Sequence, residues 1–249
     1  CTASMIKNEV QKVVGVIPAH LKSVRFPNKI LFPFYNLPMI EHVRRRAMLC
    51  EKFSNVIVAT CDREIADQII KFGGDVVITS KSHLNGTTRV AEAIESIDCS
   101  HAVIIQGDEP LLLPQYLDLI LDSIMNKPEI DAWNVTGPIE RLEELDQHSF
   151  VKCAITETQK ILYCFRRSPS FVPVDIQKSY IRKILGLIAF RKNSLLKISK
   201  IKPSIIEENE FIEQIRIIVN GFSFYSVPVS KSTPSVNEPN DELTILDML

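Results

Sequence analysis

The segment Val13-Val14-Gly15-Val16-Ile17 is a continuous apolar run that ends at Pro18. A run of this length, without alternation of apolar and polar residues, is typical of a strand buried on both faces of a parallel sheet. Further strands are predicted at 56–60, 75–78 and 101–105. Helices are predicted at 38–50, at 62–72 with Asp62 as N-cap, at 87–97 and at 114–125. This β-α-β-α order predicts a doubly wound, mostly parallel α/β sheet.

The pattern changes after about residue 130, where strands outnumber helices. A hairpin is predicted at 151–156 and 160–166, strands at 184–191 and 222–227, helices at 211–219 and 241–248, and a mobile loop at 168–178. This half would complete the sheet and supply a substrate lid or a dimerisation arm. We expect an N-terminal tail over 1–11, in which residues 1–4 are a remnant of the expression vector and Met5 is the native start. One domain is expected over 12–249, with halves at 12–130 and 131–249.

The composition of the 249-residue chain limits what it can do. The net charge is -1, so nucleic-acid binding has little electrostatic support. The longest apolar runs have strand length, far below the ~20 residues that a membrane-spanning helix needs, and no signal peptide is recognised. We therefore expect a cytoplasmic protein without membrane insertion. The six cysteines form no CxxC pair and are expected to be isolated, reduced thiols.

Basic and hydroxyl side chains follow the first predicted strand. The loop 18–29 contains Ser23, Arg25 and Lys29. Ligands of doubly wound sheets bind at the carboxyl ends of the strands, and positive side chains there suit the phosphates of a nucleotide. The loop has neither a Walker motif nor a G-x-G-x-x-G fingerprint, which disfavours a nicotinamide dehydrogenase. A solvated basic turn is the alternative interpretation.

Two carboxylates follow the fourth predicted strand, in Gln106-Gly107-Asp108-Glu109-Pro110. An acidic pair beside a glycine, which lets the backbone approach a ligand closely, suits Mg²⁺ that holds phosphate oxygens. Taken alone, an Asp-Glu-Pro segment is more often a surface turn. A shared crevice with the loop 18–29 would favour the magnesium interpretation.

A third polar segment, His83-Leu84-Asn85-Gly86-Thr87-Thr88-Arg89, precedes the helix predicted at 87–97. Its polar side chains and the helix N-terminus suit a base or a ribose. A simple capping turn explains the same residues equally well.

Six segments together resemble a known family. They are VIPAHLKSVRFPNKIL (16–31), IVATCDREIAD (57–67), HLNGTTRVAEA (83–93), IIQGDEPLL (104–112), VKCAITETQKILYCFRRSP (151–169) and FIEQIRIIVNG (211–221). In this order and spacing the chain is similar to the 3-deoxy-manno-octulosonate cytidylyltransferases (CMP-Kdo synthetases) and, more loosely, to the CMP-sialate synthetases. The resemblance covers residue 12 to the end, with the last third weaker, and implies a Rossmann-like nucleotidyltransferase fold. It also implies a nucleotide-binding half at 12–130 and a sugar-binding and dimerisation half at 131–249.

The resemblance implies a reaction in which the anomeric hydroxyl of an acidic sugar attacks the α-phosphate of CTP and releases pyrophosphate. It implies a homodimer, and a Mg²⁺ cofactor held by Asp108 and by Asn237. It also implies that Arg25 and Lys29 bind the triphosphate and act in catalysis with Asp108. The nucleotide pocket would consist of Pro18, Ala19, His20, Ser23, Arg25, Lys29, Gly86, Thr87, Arg89, Gln106 and Gly107. The sugar would meet Gln106, Arg166, Glu213 and Gln214, with Arg166 on its carboxylate.

The chain departs from the family pattern at several of these positions. His20 replaces an arginine, Thr88 and Asn237 each replace an aspartate, and Ile184 and Ile188 replace a histidine and a tyrosine. Weaker metal binding and a more apolar sugar pocket are expected, so the acceptor would be a modified or deoxygenated 2-keto sugar acid. Two alternatives stay open: a nucleotidyltransferase for another sugar or base, and a binding protein that has lost catalysis.

Overall fold

The computed structural model describes residues 11–22 and 28–232. The strands are β1 Val13–Ala19, β2 Pro33–Phe34, β3 Leu37–Pro38, β4 Asn55–Thr60, β5 Asp75–Ile78, β6 His101–Ile105, β7 Ala132–Gly137, β8 Lys152–Ile155, β9 Ile161–Phe165, β10 Ile181–Arg191 and β11 Phe224–Pro228. The helices are α1 Met39–Met48, α2 Arg63–Lys71, α3 Gly86–Ile94, α4 Pro114–Asn126, α5 Val174–Gln177, α6 Lys192–Ile198, α7 Ile205–Glu210 and α8 Ile215–Val219, with 3-10 turns at Lys29–Leu31 and Leu142–Leu145.

Nine of these strands form one sheet, in the order β11-β7-β10-β6-β1-β4-β5. In addition, β8 pairs with β10, and β9 pairs with β8. β1 pairs in parallel with β4 and β6, β4 with β5, and β11 with β7. β10 is antiparallel to both of its long neighbours, β6 and β7. The prediction of a doubly wound, mostly parallel sheet is confirmed, with β10 as a reversed strand near its centre.

Helices cover both faces of the sheet. Alternate residues of β1 enter two different core layers: Val13 and Ile17 pack with α1 and α4, and Val14 and Val16 pack with α3, α6 and α8. All four are at least 98% buried, as the continuous apolar run of β1 predicts. Each such valine or isoleucine contributes about 1.5–3 kcal/mol of hydrophobic stabilisation.

Four helices or strands of the second half are absent from the sequence prediction: β7, α5, α6 and α7. The helix predicted at 211–219 begins only at Ile215, because Phe211 has a left-handed backbone (φ 54°) that ends α7. The loop predicted at 168–178 contains the short helix α5. The helix predicted at 241–248 lies outside the described residues. No helix in the described part of the chain is long and apolar enough to cross a membrane.

Candidate active site

A cleft opens at the carboxyl ends of β1 and β6, where the first two polar motifs meet. It contains a cavity of about 150 Å³, lined by Pro18, Ala19, His20, Lys22, Lys29, Ile30, Gln106, Gly107 and Asp108. We call this the phosphate pocket. The loop after β1 and the segment after β6 therefore share one crevice, as the magnesium interpretation requires.

The central contact in the phosphate pocket joins Lys29 and Asp108. The Lys29 Nζ atom donates to Asp108 Oδ2 at 2.7 Å, and the two side chains are 15% and 25% exposed. Lys29 begins the 3-10 turn, and the residue before it, Asn28, has a left-handed backbone (φ 56°). The pair is accessible from the cleft, so an incoming phosphate can compete for the ammonium group and a cation for the carboxylate.

Asp62 anchors the loop after β1 instead of capping α2. It stands at the N-cap position of α2, but its side chain makes no capping hydrogen bond. Its Oδ2 accepts from the Leu21 backbone N–H at 2.8 Å. The predicted N-cap position of Asp62 is therefore confirmed, while its carboxylate bonds to the neighbouring loop.

A second cavity, of about 420 Å³, adjoins the phosphate pocket and shares His20 and Lys22 with it. Arg89 lines this cavity, but its guanidinium donates to Thr79 Oγ1 at 2.6 Å and to the Ser80 carbonyl. Desolvation of the imidazole, followed by the positive charge of Arg89, lowers the pKa of His20. His20 is therefore mostly neutral at neutral pH, and the cationic side chains that line the phosphate pocket are Lys22 and Lys29.

The third motif forms a helix cap. Asn85 Oδ1 accepts from the Thr88 backbone N–H at 2.9 Å. The Thr88 hydroxyl contacts Asn85 and the Nδ1 atom of His83, whose Nε2 atom pairs with Glu92. The capping interpretation is confirmed by Asn85 and Thr88. The neighbouring Gly86 and Thr87 line the next cavity, and their predicted contact with a nucleotide stays a prediction.

This third cavity, which we call the acceptor pocket, lies beside the phosphate pocket. It is lined by Gly86, Thr87, Ile104, Gln106, Ile188, Phe190, Ile198, Glu213, Gln214, Arg216 and Ile217. Gln106 lines both pockets. The Thr87 hydroxyl donates to the Glu213 carboxylate, while burial raises the pKa of Glu213. The structure thus brings together the predicted sugar-binding residues Gln106, Glu213 and Gln214.

Arg166 is not in the acceptor pocket. Its guanidinium donates to three backbone carbonyls, those of His148, Glu210 and Phe211, at 2.7–2.8 Å. It lines a separate surface cavity with Tyr163. Three of the five N–H groups of Arg166 are thus used by carbonyls outside the acceptor pocket, and its predicted contact with a sugar carboxylate stays a prediction.

The acidic pair predicted after β6 is split by the structure. Asp108 faces the phosphate pocket, whereas the Glu109 carboxyl packs over Gly186 of β10. Burial, and secondarily the charge of Asp108, raises the pKa of Glu109 to about 8. Glu109 is also absent from the lining of the phosphate pocket. A glycine inside the predicted strand 184–191 was the sequence signal for such a close approach.

Asp108 alone among the described residues is positioned to hold a metal in the cleft. No group of three or more His, Cys, Asp or Glu side chains with metal-binding geometry occurs in 11–22 and 28–232. Mg²⁺ is commonly held by one or two carboxylates together with substrate phosphates. Asp108 beside the phosphate pocket fits that mode. The predicted roles of Ser23, Arg25 and Asn237 concern residues outside the described ranges and stay predictions.

The fold and the cleft define a nucleotidyltransferase, and a family model described as Cytidylyltransferase matches residues 14–228. The 3-deoxy-manno-octulosonate cytidylyltransferase of Chlorobium limicola is 35% identical over 92% of this chain and 93% of its own length. Its Escherichia coli counterpart is 31% identical over 92% of this chain and 93% of its own length. The chain belongs to the family of 3-deoxy-manno-octulosonate cytidylyltransferases.

A solved structure is similar over nearly the whole chain. It is described as CMP:2-keto-3-deoxy-manno-octonic acid synthetase complexed with CTP. The TM-score is 0.90 at 29% identity, over 96% of this chain and 98% of that chain. The similarity therefore extends beyond the nucleotide-binding half to the strands and helices that form the acceptor pocket.

Proposed function

We propose that the chain transfers the cytidylyl group of CTP to the anomeric hydroxyl of a 3-deoxy-2-keto sugar acid, Kdo or a modified relative. The products are a CMP-sugar and pyrophosphate. One observation carries the proposal: Gln106 lines both the phosphate pocket and the acceptor pocket. A triphosphate in the first and a sugar acid in the second would meet at this residue. The names of the relatives supply the two substrates.

The residues of the cleft contribute mainly alignment and charge. Phosphoryl transfer depends on positioning and on electrostatic stabilisation of the leaving group. Lys29 offsets negative charge as pyrophosphate departs, and Asp108 holds Mg²⁺, which when bound neutralises phosphate charge. Gln106 orients the reacting groups, and Glu213 and Gln214 bind sugar hydroxyls. Arg25 and Asn237 are proposed to assist at the triphosphate and at the metal.

The setting of the reaction is also proposed. We infer a homodimer that acts in the cytoplasm as a soluble enzyme of surface-polysaccharide synthesis. Exposed apolar side chains on and near β9, among them Leu162, Tyr163 and Phe211, support a subunit contact there. Light scattering on the purified chain measures the oligomeric state directly.

The test is pyrophosphate release from CTP and Mg²⁺ with Kdo and related 2-keto sugar acids. We expect turnover with at least one acid, and we expect Lys29→Met to lower kcat/KM by about 10²–10³, the usual effect of removing one transition-state donor. Lys52→Met is the matched control, because Lys52 also pairs with an aspartate at 2.7 Å, but on the exposed surface with Asp122. It should leave activity unchanged.

A binding protein without catalysis is the second candidate. The neutral imidazole of His20 in the phosphate pocket favours it, since this pocket holds less positive charge than the family pattern provides. Calorimetry separates the two functions. CTP binding without pyrophosphate release from any acid of the panel would support the binding protein and contradict the cytidylyltransferase.

A further inference from the structure

The acceptor pocket has one polar and one apolar side. The polar side consists of Thr87, Gln106, Glu213 and Gln214. The apolar side is centred on Ile188 of β10, which is partly exposed, and is backed by the buried side chains of Phe190, Ile198 and Ile217. A ligand that fills the pocket must therefore meet carbon atoms on one side and hydrogen-bonding groups on the other.

The neighbours of Ile188 across the sheet provide no hydrogen-bond partner. On one side Ile188 pairs with Ile104, which is apolar and buried. On the other it pairs with Asn134, which is fully buried. The Asn134 Nδ2 atom donates to the Val135 and Leu185 carbonyls, both at 2.9 Å, and its Oδ1 accepts from Gln214 Nε2 at 3.4 Å. The amide of Asn134 is thus committed within the protein.

The charged group nearest to the apolar side is also committed. Arg216 lines the pocket, but its guanidinium bonds to both carboxylate oxygens of Glu207 through Nε, and again through Nη2. The side chains of Arg216 and Glu207 are each 9% exposed. A ligand hydroxyl placed against Ile188 would therefore lie beside the apolar side chains of Ile104 and Phe190, which offer it no hydrogen bond.

We propose that the acceptor is a 3-deoxy-2-keto sugar acid in which one hydroxyl group of Kdo is replaced by hydrogen or an alkyl group, and that this position lies on Ile188. The inference rests on the proposed function and specifies its substrate class. An unsatisfied buried hydroxyl lowers binding by about 5- to 150-fold, which corresponds to about 1–3 kcal/mol. The wild-type protein should therefore prefer one deoxygenated acceptor over Kdo by a factor in that range.

The test compares kcat/KM for Kdo with that for its four monodeoxy analogues, which lack the hydroxyl at C4, C5, C7 or C8. We expect one analogue to exceed Kdo by at least about 5-fold in the wild-type protein. Ile188→Thr keeps the branched shape and adds a hydroxyl to the pocket wall. It should reduce this preference by about 5-fold or more while the KM for CTP stays unchanged.

Ile184→Thr is the matched control. The family resemblance assigns Ile184 to the sugar pocket together with Ile188, but in the structure Ile184 is absent from the lining of the acceptor pocket. It lies on the same strand and packs in the same core layer as Ile188. This substitution should leave the ratio between Kdo and the preferred analogue unchanged. If it alters the ratio as much as Ile188→Thr does, the inference is overturned.

The wild-type panel remains decisive if either variant fails to fold. Kdo used as efficiently as every analogue overturns the inference and leaves the proposed function intact. No pyrophosphate release with any of the five acids contradicts the proposed function. The affinities of the same acids, measured by calorimetry, then test the preference of the acceptor pocket. Tighter binding of one deoxy analogue supports the inference, and equal or tighter binding of Kdo overturns it.

Discussion

Gly186→Ala should impair catalysis because the added methyl group would collide with Glu109. A Cβ atom at Gly186 would lie 2.1 Å from Glu109 Oε1, 2.8 Å from its carboxyl carbon and 3.2 Å from Gln106 Cγ. The φ angle of Gly186 is outside the left-handed region, so alanine imposes no backbone strain there. The expected effect is therefore steric.

The size of the effect follows from the contact distances. An ordinary contact is about 3.4 Å, so the Glu109 carboxyl must move by about 1.3 Å. The carboxyl is the end of a flexible, partly exposed side chain, so a displacement of this side chain, and not of the backbone, would relieve the contact. Overpacking of this kind costs about 1–3 kcal/mol. Gln106 and Asp108 belong to the same turn, and a misplacement of about 1 Å can cost ~10²-fold in rate.

The assay is a double-mutant cycle with Glu109→Ala, which removes the group that the methyl would strike. Pyrophosphate release and urea unfolding are measured for the wild type, both single variants and the double variant. We expect Gly186→Ala to lower kcat/KM by about 10- to 100-fold in the wild-type background and by less than about 3-fold in the Glu109→Ala background.

Gly221→Ala supplies the control for this cycle. A Cβ atom at Gly221 would meet nothing within 4 Å, but the φ angle is +73°. The substitution should therefore lower stability by the same amount with and without Glu109. Equal losses from Gly186→Ala in both backgrounds, or no loss in the wild-type background, would refute the steric argument.

Two further predictions concern buried or shielded groups. Burial lowers the pKa of Lys152 to about 8, so the native state releases this proton at lower pH than the unfolded chain. Urea unfolding should show the wild type gaining stability relative to Lys152→Met from about pH 8 to 10.5, by up to about 3 kcal/mol, and a constant difference would contradict the assignment. Burial raises the pKa of Cys50 to about 11 and of Cys153 to about 12. In a Cys1→Ser background iodoacetamide should therefore label the partly exposed Cys61 first. CTP should slow this labelling because Cys61 lines the cavity beside the phosphate pocket. Equal labelling rates with and without CTP would place the nucleotide elsewhere.

The strands of the first half could be predicted because their side chains are apolar on both faces. β7 was missed because Asn134 and Thr136 interrupt the apolar pattern of a fully buried strand. Their polar atoms are satisfied by partners that the local sequence does not reveal. The Thr136 hydroxyl bonds to that of Ser226 at 2.7 Å, 90 residues further along the chain.

The part of the candidate site that lies at the carboxyl ends of the strands could be predicted from the sequence. Lys29 and Asp108 meet because both follow adjacent parallel strands. The contact between Glu213 and Thr87 was not predicted, since the resemblance assigns Thr87 to the nucleotide and Glu213 to the sugar and no local pattern connects α3 with the segment before α8. Arg166 could not be assigned from the sequence because backbone carbonyls, which have no sequence signature, determine where its guanidinium lies.

The reversed direction of β10 separates the two recognition tasks of the cleft. Leu187 pairs with Ile105, the last residue of β6, so β10 continues past the end of β6 through Gly186. Leu187 and Ala189 pack in one core layer, while Ile188 and Phe190 point to the acceptor pocket on the opposite face. The residues that line the phosphate pocket lie at the end of β1 or follow β1 and β6. A small library at position 188 would therefore vary the apolar wall of the acceptor pocket and leave the lining of the phosphate pocket unchanged.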